Sequence, residues 1–142
     1  MNWLPAALRP KPLALVGLGG ATGTLLRWGV GHALPGQHGL PWATVLVNLA
    51  GSFALGFLLE VLLRRSPESV AARDLRLLLG TGFLGGFTTF STFAMDLTGL
   101  LTDGRVDTAL LYAGLSLVGG TLAAGLGVLL AARGVAGRRA SS

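Results

Sequence analysis

Hydrophobic positions along this chain fall into four long stretches, which short polar segments separate. The stretches cover about residues 13–34, 42–63, 77–101 and 108–132. Each is longer than the about 20 apolar residues that a helix needs to cross a bilayer. The pattern predicts an all-α fold, an integral membrane four-helix bundle that forms one membrane domain over residues 1–142.

The three connecting segments have different characters. PGQHGLP (35–41) is rich in Pro and Gly and predicts a turn. RRSPESVAARDLR (64–76) is charged, and we expect a short surface helix within it. TDGRVD (102–107) predicts a tight polar turn. Such short connections keep successive helices adjacent.

Composition supports the membrane assignment. The chain is 51% hydrophobic and 12% charged, whereas soluble domains carry about 25% charged residues. It has no cysteine, which excludes disulfides and thiolate metal sites. The N-terminal MNWLPAALRPKP is too weakly apolar to be a cleaved signal peptide.

The basic residues are distributed very unevenly. With four spans, both termini and the second connection share one side, and nine of the eleven Lys and Arg residues fall there: Arg9, Lys11, Arg64, Arg65, Arg73, Arg76, Arg133, Arg138 and Arg139. Arg105 lies on the other side, and Arg27 lies inside the first span. The positive-inside rule then predicts cytoplasmic termini. The net charge of +5 therefore reflects topology, and we expect no nucleic-acid partner.

Small residues recur four positions apart inside the spans, which lets membrane helices approach closely. Such pairs are Gly19 and Gly23, Ser52 and Gly56, Gly82 and Gly86, and Gly120 and Ala124. We interpret most of these pairs as helix-packing contacts.

Polar residues inside spans are costly and are therefore functional candidates. No Ser-His-Asp set or phosphate-binding loop can be assembled from them, so the chain is not expected to be an enzyme. Glu60 and Asp96 lie toward span ends, which argues against a proton-coupled exporter. A role for Asp96, His32 or His38 does not follow from the sequence, and solvated vestibule positions are the simpler interpretation.

The other polar residues inside the spans include neutral hydrogen-bond donors. Asn48 and Ser52 share one helix face, and Tyr112 and Ser116 share another, because each pair is four residues apart. Interhelical hydrogen bonding is the alternative explanation for both pairs.

The segment GGFTTFSTF (85–93) predicts that the third helix is broken at mid-membrane. Glycine and threonine both weaken a helix, and a break exposes carbonyl and N–H groups that an ion can satisfy. Phe90 and Phe93 are three apart and share a face after the break. Their ring edges carry partial positive charge and can contact an anion, although core packing is the simpler alternative.

TVLVNLAGSFALGF, GFLGGFTTFSTF and the preceding GGATGTLLRW together resemble the Fluc fluoride channels, also called CrcB proteins. The resemblance extends from about Leu13 to Ala132. It implies a passive channel that exports toxic fluoride across a prokaryotic plasma membrane, built as an antiparallel homodimer with two pores and a central structural sodium ion.

The resemblance also implies roles for individual residues. Asn48 would be a pore amide donor, and Phe90 and Phe93 would present their ring edges to fluoride. The carbonyls of Gly85 and Thr88 would bind the sodium ion. The remaining pore positions that it implies are Arg27, Thr89, Ser91, Thr92, Tyr112 and Ser116.

Three features depart from the family pattern. Trp28 stands where Tyr is common, and Gly120 stands where a further hydroxyl is common. The charge bias is unexpected for a chain that must insert in both orientations, so a heterodimer with an oppositely oriented homologue is an alternative to the homodimer. A cation exporter and a membrane scaffold without transport are the other function classes considered.

Overall fold

The computed structural model describes residues 10–34, 39–64 and 69–140, with side chains up to residue 134. Every regular element in these ranges is helical. In chain order the elements are α1 (Pro10–Ala33), α2 (Trp42–Leu63), α3 (Val70–Leu75), a π-helical segment (Arg76–Leu84), α4 (Gly85–Phe87), α5 (Phe90–Thr102) and α6 (Val106–Ala140). The predicted all-α fold is confirmed.

Within the described ranges, four helical stretches are long and apolar enough to cross a membrane, as the hydrophobic pattern predicts. They are Pro10–Ala33, Trp42–Leu63, Val70–Thr102 and Val106–Gly134. Many large apolar side chains on them are exposed in the single chain, among them Leu18, Leu25, Leu110 and Leu122. Such residues are suited to lipid or to a second subunit rather than to water.

The predicted surface helix is α3, and it continues directly into the third span. The Ser69 hydroxyl caps it by accepting a hydrogen bond from the Ala72 N–H at 3.1 Å. Lys11 at the start of α1 forms an ion pair with Asp74 at 2.5 Å. This end of the bundle holds the described part of the charged connection, whereas Arg9 and Arg65 lie outside the described residues.

Two helix pairs make the most extensive contacts, α2 with α6 and α1 with the π segment. Glycines bring the backbones together in both. A Cβ at Gly23 would meet the backbone of Phe83, and one at Gly56 would meet the backbone of Ala124. These contacts confirm the packing interpretation for Gly23 and Gly56.

The two short connections at the opposite end meet each other. Arg105 Nη2 donates to the Gly39 carbonyl at 2.8 Å. Gly39 and Gly104 have positive φ angles of 77° and 72°, which favours glycine at both turns. The buried core lies near this end and comprises Leu40, Val45, Phe93, Leu100, Ala109 and Tyr112.

Candidate functional site

The third span is interrupted at two threonines. Thr88 (φ −78°, ψ 159°) and Thr89 (φ −150°, ψ 120°) have extended backbones between α4 and α5. Gly85 and Gly86, which the sequence made part of the break, remain helical immediately before it. The predicted break is therefore confirmed, and its irregular residues are the threonines.

Thr88 and Thr89 have side chains that stabilise the ends of the two flanking helices. The Thr88 hydroxyl donates to the Leu84 carbonyl at 2.9 Å. The Thr89 hydroxyl accepts from the Thr92 N–H at 3.1 Å and so caps α5. It also donates to Thr92 Oγ1 at 3.0 Å and lies 3.3 Å from Ser91 Oγ. Thr89 is buried, and its hydroxyl is largely engaged within this cluster.

Asn48 of α2 binds the extended backbone of Thr89. Its Nδ2 donates to the Thr89 carbonyl at 3.0 Å, and its Oδ1 accepts from the Thr89 N–H at 2.8 Å. A side-chain amide has two N–H donors, so one of them remains for another acceptor. Asn48 is thus both a clamp on the break and a potential donor to an ion.

The Gly86 carbonyl, exposed by the break, is satisfied from α1. Arg27 Nε donates to it at 3.1 Å, and Thr24 Oγ1 donates at 3.4 Å. An irregular backbone at membrane depth requires such partners. Arg27 therefore holds the end of α4 in addition to any effect of its charge on an ion.

The carbonyls of Gly85 and Thr88 lose their helical donors. In a continuous helix the Thr89 N–H would serve Gly85, but it donates to Asn48 Oδ1 instead. The Thr92 N–H would serve Thr88, but it donates to the Thr89 hydroxyl. Oxygen atoms left in this way are suitable ligands for a hard cation such as sodium.

Two cavities share one lining residue, Thr89. The vestibule cavity has a volume of about 540 Å³ and is lined by Thr24, Arg27, Trp28, Gly31, His32, Ala43, Thr44, Val47, Thr89 and Thr92. The inner cavity has a volume of about 330 Å³, and its polar or aromatic lining includes Asn48, Ser52, Thr88, Thr89, Phe90, Phe93 and Ser116.

Phe90 and Phe93 both line the inner cavity but differ greatly in burial. Phe90 is 77% exposed in the single chain, whereas Phe93 is 7% exposed. Their ring centroids are 5.9 Å apart, and Phe93 also packs on Tyr112 at 5.1 Å. The core-packing alternative therefore describes part of the environment of Phe93 but not that of Phe90.

Tyr112 and Ser116, the polar pair on α6, have different surroundings. Tyr112 is fully buried, and its hydroxyl donates to Asp96 Oδ2 at 3.1 Å. Ser116 lines the inner cavity, and its buried hydroxyl has no hydrogen-bond partner among the described residues. The same Asp96 oxygen accepts from the Thr44 hydroxyl at 2.8 Å.

Asp96 is the polar residue whose environment the sequence did not reveal. It is half-buried and receives two hydroxyl donors from α2 and α6, so it is not simply a solvated vestibule side chain. The sequence did offer one signal for this environment, because Asp96 lies one helical turn after Phe93 on α5. His32 is exposed and packs on Trp28 with ring centroids 4.0 Å apart, while His38 lies outside the described residues.

Comparison with known proteins gives concordant matches. The model of the CrcB-like (camphor resistance) protein family matches residues 14–128. The chain is 40% identical to the fluoride-specific ion channel FluC 1 of Cutibacterium acnes, over 94% of this chain and 93% of that protein. It is 48% identical to a fluoride-specific ion channel FluC of Thermus thermophilus, over 82% and 90% of the two chains. A FluC of Chlorobaculum tepidum is 45% identical, over 85% and 94%.

Proposed function

The chain belongs to the CrcB family, and on that premise we propose that it is a fluoride-selective channel that passively exports toxic fluoride from the cytoplasm. The observation that carries the proposal is the arrangement of neutral donors and aromatic rings around the broken third helix. Asn48 keeps one N–H, the buried Ser116 hydroxyl has no hydrogen-bond partner in the part of the chain that the structure describes, and Phe90 and Phe93 line the same cavity. The names of the relatives specify the ion.

The two cavities suggest the route of the ion. Fluoride enters the vestibule cavity, where Arg27 provides positive charge, and passes the Thr89 segment into the inner cavity. There it meets the donors of Asn48 and Ser116 and the ring edges of the two phenylalanines. We include Ser91, Thr92 and Tyr112 in this pathway as hydroxyls that support or line it.

Neutral groups are suited to conduction because a permeating ion must be bound and then released. Fluoride is small and strongly hydrated, so closely spaced donors have to replace its water. A partial charge on a ring edge or an amide attracts the anion less strongly than a full cation would. Arg27 does not contradict this, because it lines the vestibule cavity and not the inner cavity, where the neutral donors lie.

We propose that the active form is an antiparallel homodimer with two pores. The high exposure of Phe90 in the single chain supports a second subunit at the inner cavity. Nine basic residues on one predicted side favour one orientation and keep the heterodimer as the alternative. Because the chain has no cysteine, a single Ser142→Cys variant can be labelled from either side of the membrane. Labelling from both sides supports the homodimer, and labelling from one side alone excludes it.

A structural sodium ion at the dimer centre fits the carbonyls of Gly85 and Thr88. Their loss of helical donors supports this assignment, and equivalent oxygens of a partner would complete the ligand set. Thermal unfolding of the purified protein should occur at a higher temperature in sodium than in potassium or lithium salts. Equal unfolding temperatures in all three would remove the sodium ion from the proposal.

We place the protein in the plasma membrane of a prokaryote, the inner one where there are two, with both termini cytoplasmic in the favoured orientation. The four apolar helices support a multi-pass membrane protein. The orientation rests on the positive-inside rule.

Fluoride efflux from liposomes tests the function. Liposomes containing purified protein and loaded with potassium fluoride are treated with a potassium ionophore, and a fluoride electrode records release. Rapid release that needs only the ionophore supports a passive channel, and a parallel chloride experiment tests selectivity. Absence of release from folded protein, alone and with a candidate homologue, would overturn the proposal.

A further inference from the structure

Tyr112 and Ser116 place hydroxyl groups on one face of α6, but the next position on that face has none. Tyr112 is engaged with Asp96, Ser116 faces the inner cavity, and the next position one turn further is Gly120. A polar pathway that continued along α6 would need a side chain at residue 120. Gly120 is buried and provides none.

Helix α2 lies very close to α6 at this level. Cβ atoms placed on Gly56 and on Gly127 would meet the backbones of Ala124 and Phe53, respectively, so the two helices touch along this stretch. A Cβ placed on Gly120 would lie 3.5 Å from the Ser52 hydroxyl oxygen. The Ser52 hydroxyl therefore lies beside the position where a side chain of residue 120 would begin.

The Ser52 hydroxyl is available to bind an ion in the inner cavity. Hydroxyls in helices commonly bond the carbonyl four residues earlier, as Thr98 and Thr121 do here at 2.8 Å. Ser52 makes no such bond within the described part of the chain, where its hydroxyl has no protein partner. It lines the inner cavity together with Ser116, one helical turn from Asn48.

We propose that Ser52 is an ion-binding residue of the fluoride path, and that it supplies from α2 the hydroxyl that α6 lacks at Gly120. The line of hydroxyl groups along the inner cavity thus passes from Ser116 on α6 to Ser52 on α2. This inference rests on the proposed channel function. It assigns the ion-binding role to the Ser52 hydroxyl rather than to helix packing alone.

A rescue experiment tests the assignment. Ser52→Ala should lower fluoride efflux at low fluoride by at least about tenfold, the scale of one hydrogen bond to a charged group. Gly120→Ser in the Ser52→Ala background should restore most of the flux, since its hydroxyl would enter the same space. Thr121→Ala is the matched control, because that residue is exposed and its hydroxyl bonds the Leu117 carbonyl of its own helix.

The dependence of flux on fluoride concentration separates binding from packing. Loss of an ion-binding hydroxyl should raise the half-saturating fluoride concentration, whereas a packing defect should only reduce the maximal flux. If Ser52→Ala is not recovered as folded protein, Ser52→Cys replaces it, because a thiol is a similarly small but weaker donor. The same loss and the same rescue are then expected.

The outcomes distinguish this inference from the channel function. No fluoride flux through the unmodified protein would overturn the function itself. Normal flux through the unmodified protein with unchanged half-saturation in Ser52→Ala would overturn the role of Ser52 alone. If Gly120→Ser does not restore the flux that Ser52→Ala has lost, the hydroxyls at positions 52 and 120 do not serve the same place in the ion path.

Discussion

The side-chain amide of Asn48 pairs with the backbone of Thr89 through two opposed hydrogen bonds, of 3.0 Å to the carbonyl and 2.8 Å from the N–H. The pair resembles one rung of a β-ladder placed between a helix and an extended segment. It satisfies the interrupted backbone where a membrane offers no water. Asn48 therefore stabilises the broken helix, in addition to its proposed role as a hydrogen-bond donor to the ion.

Asn48→Asp should nearly abolish fluoride flux and also destabilise the protein. A carboxylate can accept from the Thr89 N–H but cannot donate to its carbonyl, and its charge repels the anion. An unsatisfied buried acceptor costs about 1–3 kcal/mol. Efflux from liposomes and thermal unfolding in detergent measure the two effects.

Asn48→Ala separates charge from structure in that experiment. It loses both hydrogen bonds to Thr89 without adding a charge, so it should destabilise at least as much yet retain more flux than Asn48→Asp. A normal efflux rate in Asn48→Asp would contradict a pore role for this residue.

Phe90→Ile should reduce fluoride flux strongly while the protein remains folded. The Phe90 ring is exposed in the single chain, so little of the intrachain core depends on it, and an aliphatic side chain lacks the positive ring edge. Efflux and the elution volume of the purified protein are the measurements. Phe57→Ile is the matched control, because Phe57 is also partly exposed but lines neither the vestibule nor the inner cavity.

If Phe90→Ile leaves the flux as high as Phe57→Ile does, a large apolar side chain is all that position 90 requires. The contribution of the ring edge to ion binding would then be withdrawn. The packing of Phe93 on Tyr112 would not be affected by that result.

Asp96→Ala should destabilise the protein more than Tyr112→Phe does. Removing the carboxylate leaves two hydroxyl donors without their acceptor, those of Thr44 and Tyr112. Each such group costs about 1–3 kcal/mol when buried. Tyr112→Phe instead removes one donor and leaves Asp96 with its bond from Thr44. Thermal or denaturant unfolding of both variants tests the order, and a smaller loss for Asp96→Ala would mean that water replaces the missing acceptor.

The length of the apolar stretches was sufficient to predict the four spans, because a bilayer imposes a long apolar helix for each crossing. The break was predictable from local chemistry, since Gly and Thr residues cluster between 85 and 92. Its placement at Thr88 and Thr89 was not, because it depends on Asn48, 41 residues away from Thr89. The burial of Asp96 depended likewise on contacts between α2, α5 and α6. Such side-chain pairings arise from helix rotation and depth, which a single sequence does not specify.

Gly23→Ala should destabilise the bundle, whereas Gly17→Ala on the same helix should not. A Cβ at Gly23 would overlap the backbone of Phe83 and lie 2.9 Å from the Phe87 nitrogen, so α1 would have to move away from the third span. Apart from the adjacent backbone of α1, no atom of the described residues lies within 4 Å of a Cβ at Gly17, and there alanine gains up to about 1 kcal/mol of helix propensity. Displacement of α1 would also weaken the Arg27 bond to the Gly86 carbonyl, so flux should fall together with stability in Gly23→Ala. Unfolding temperature and efflux of the two variants, measured side by side, check both effects. Equal stability of the two variants would mean that α1 is not held by close backbone contact with the third span.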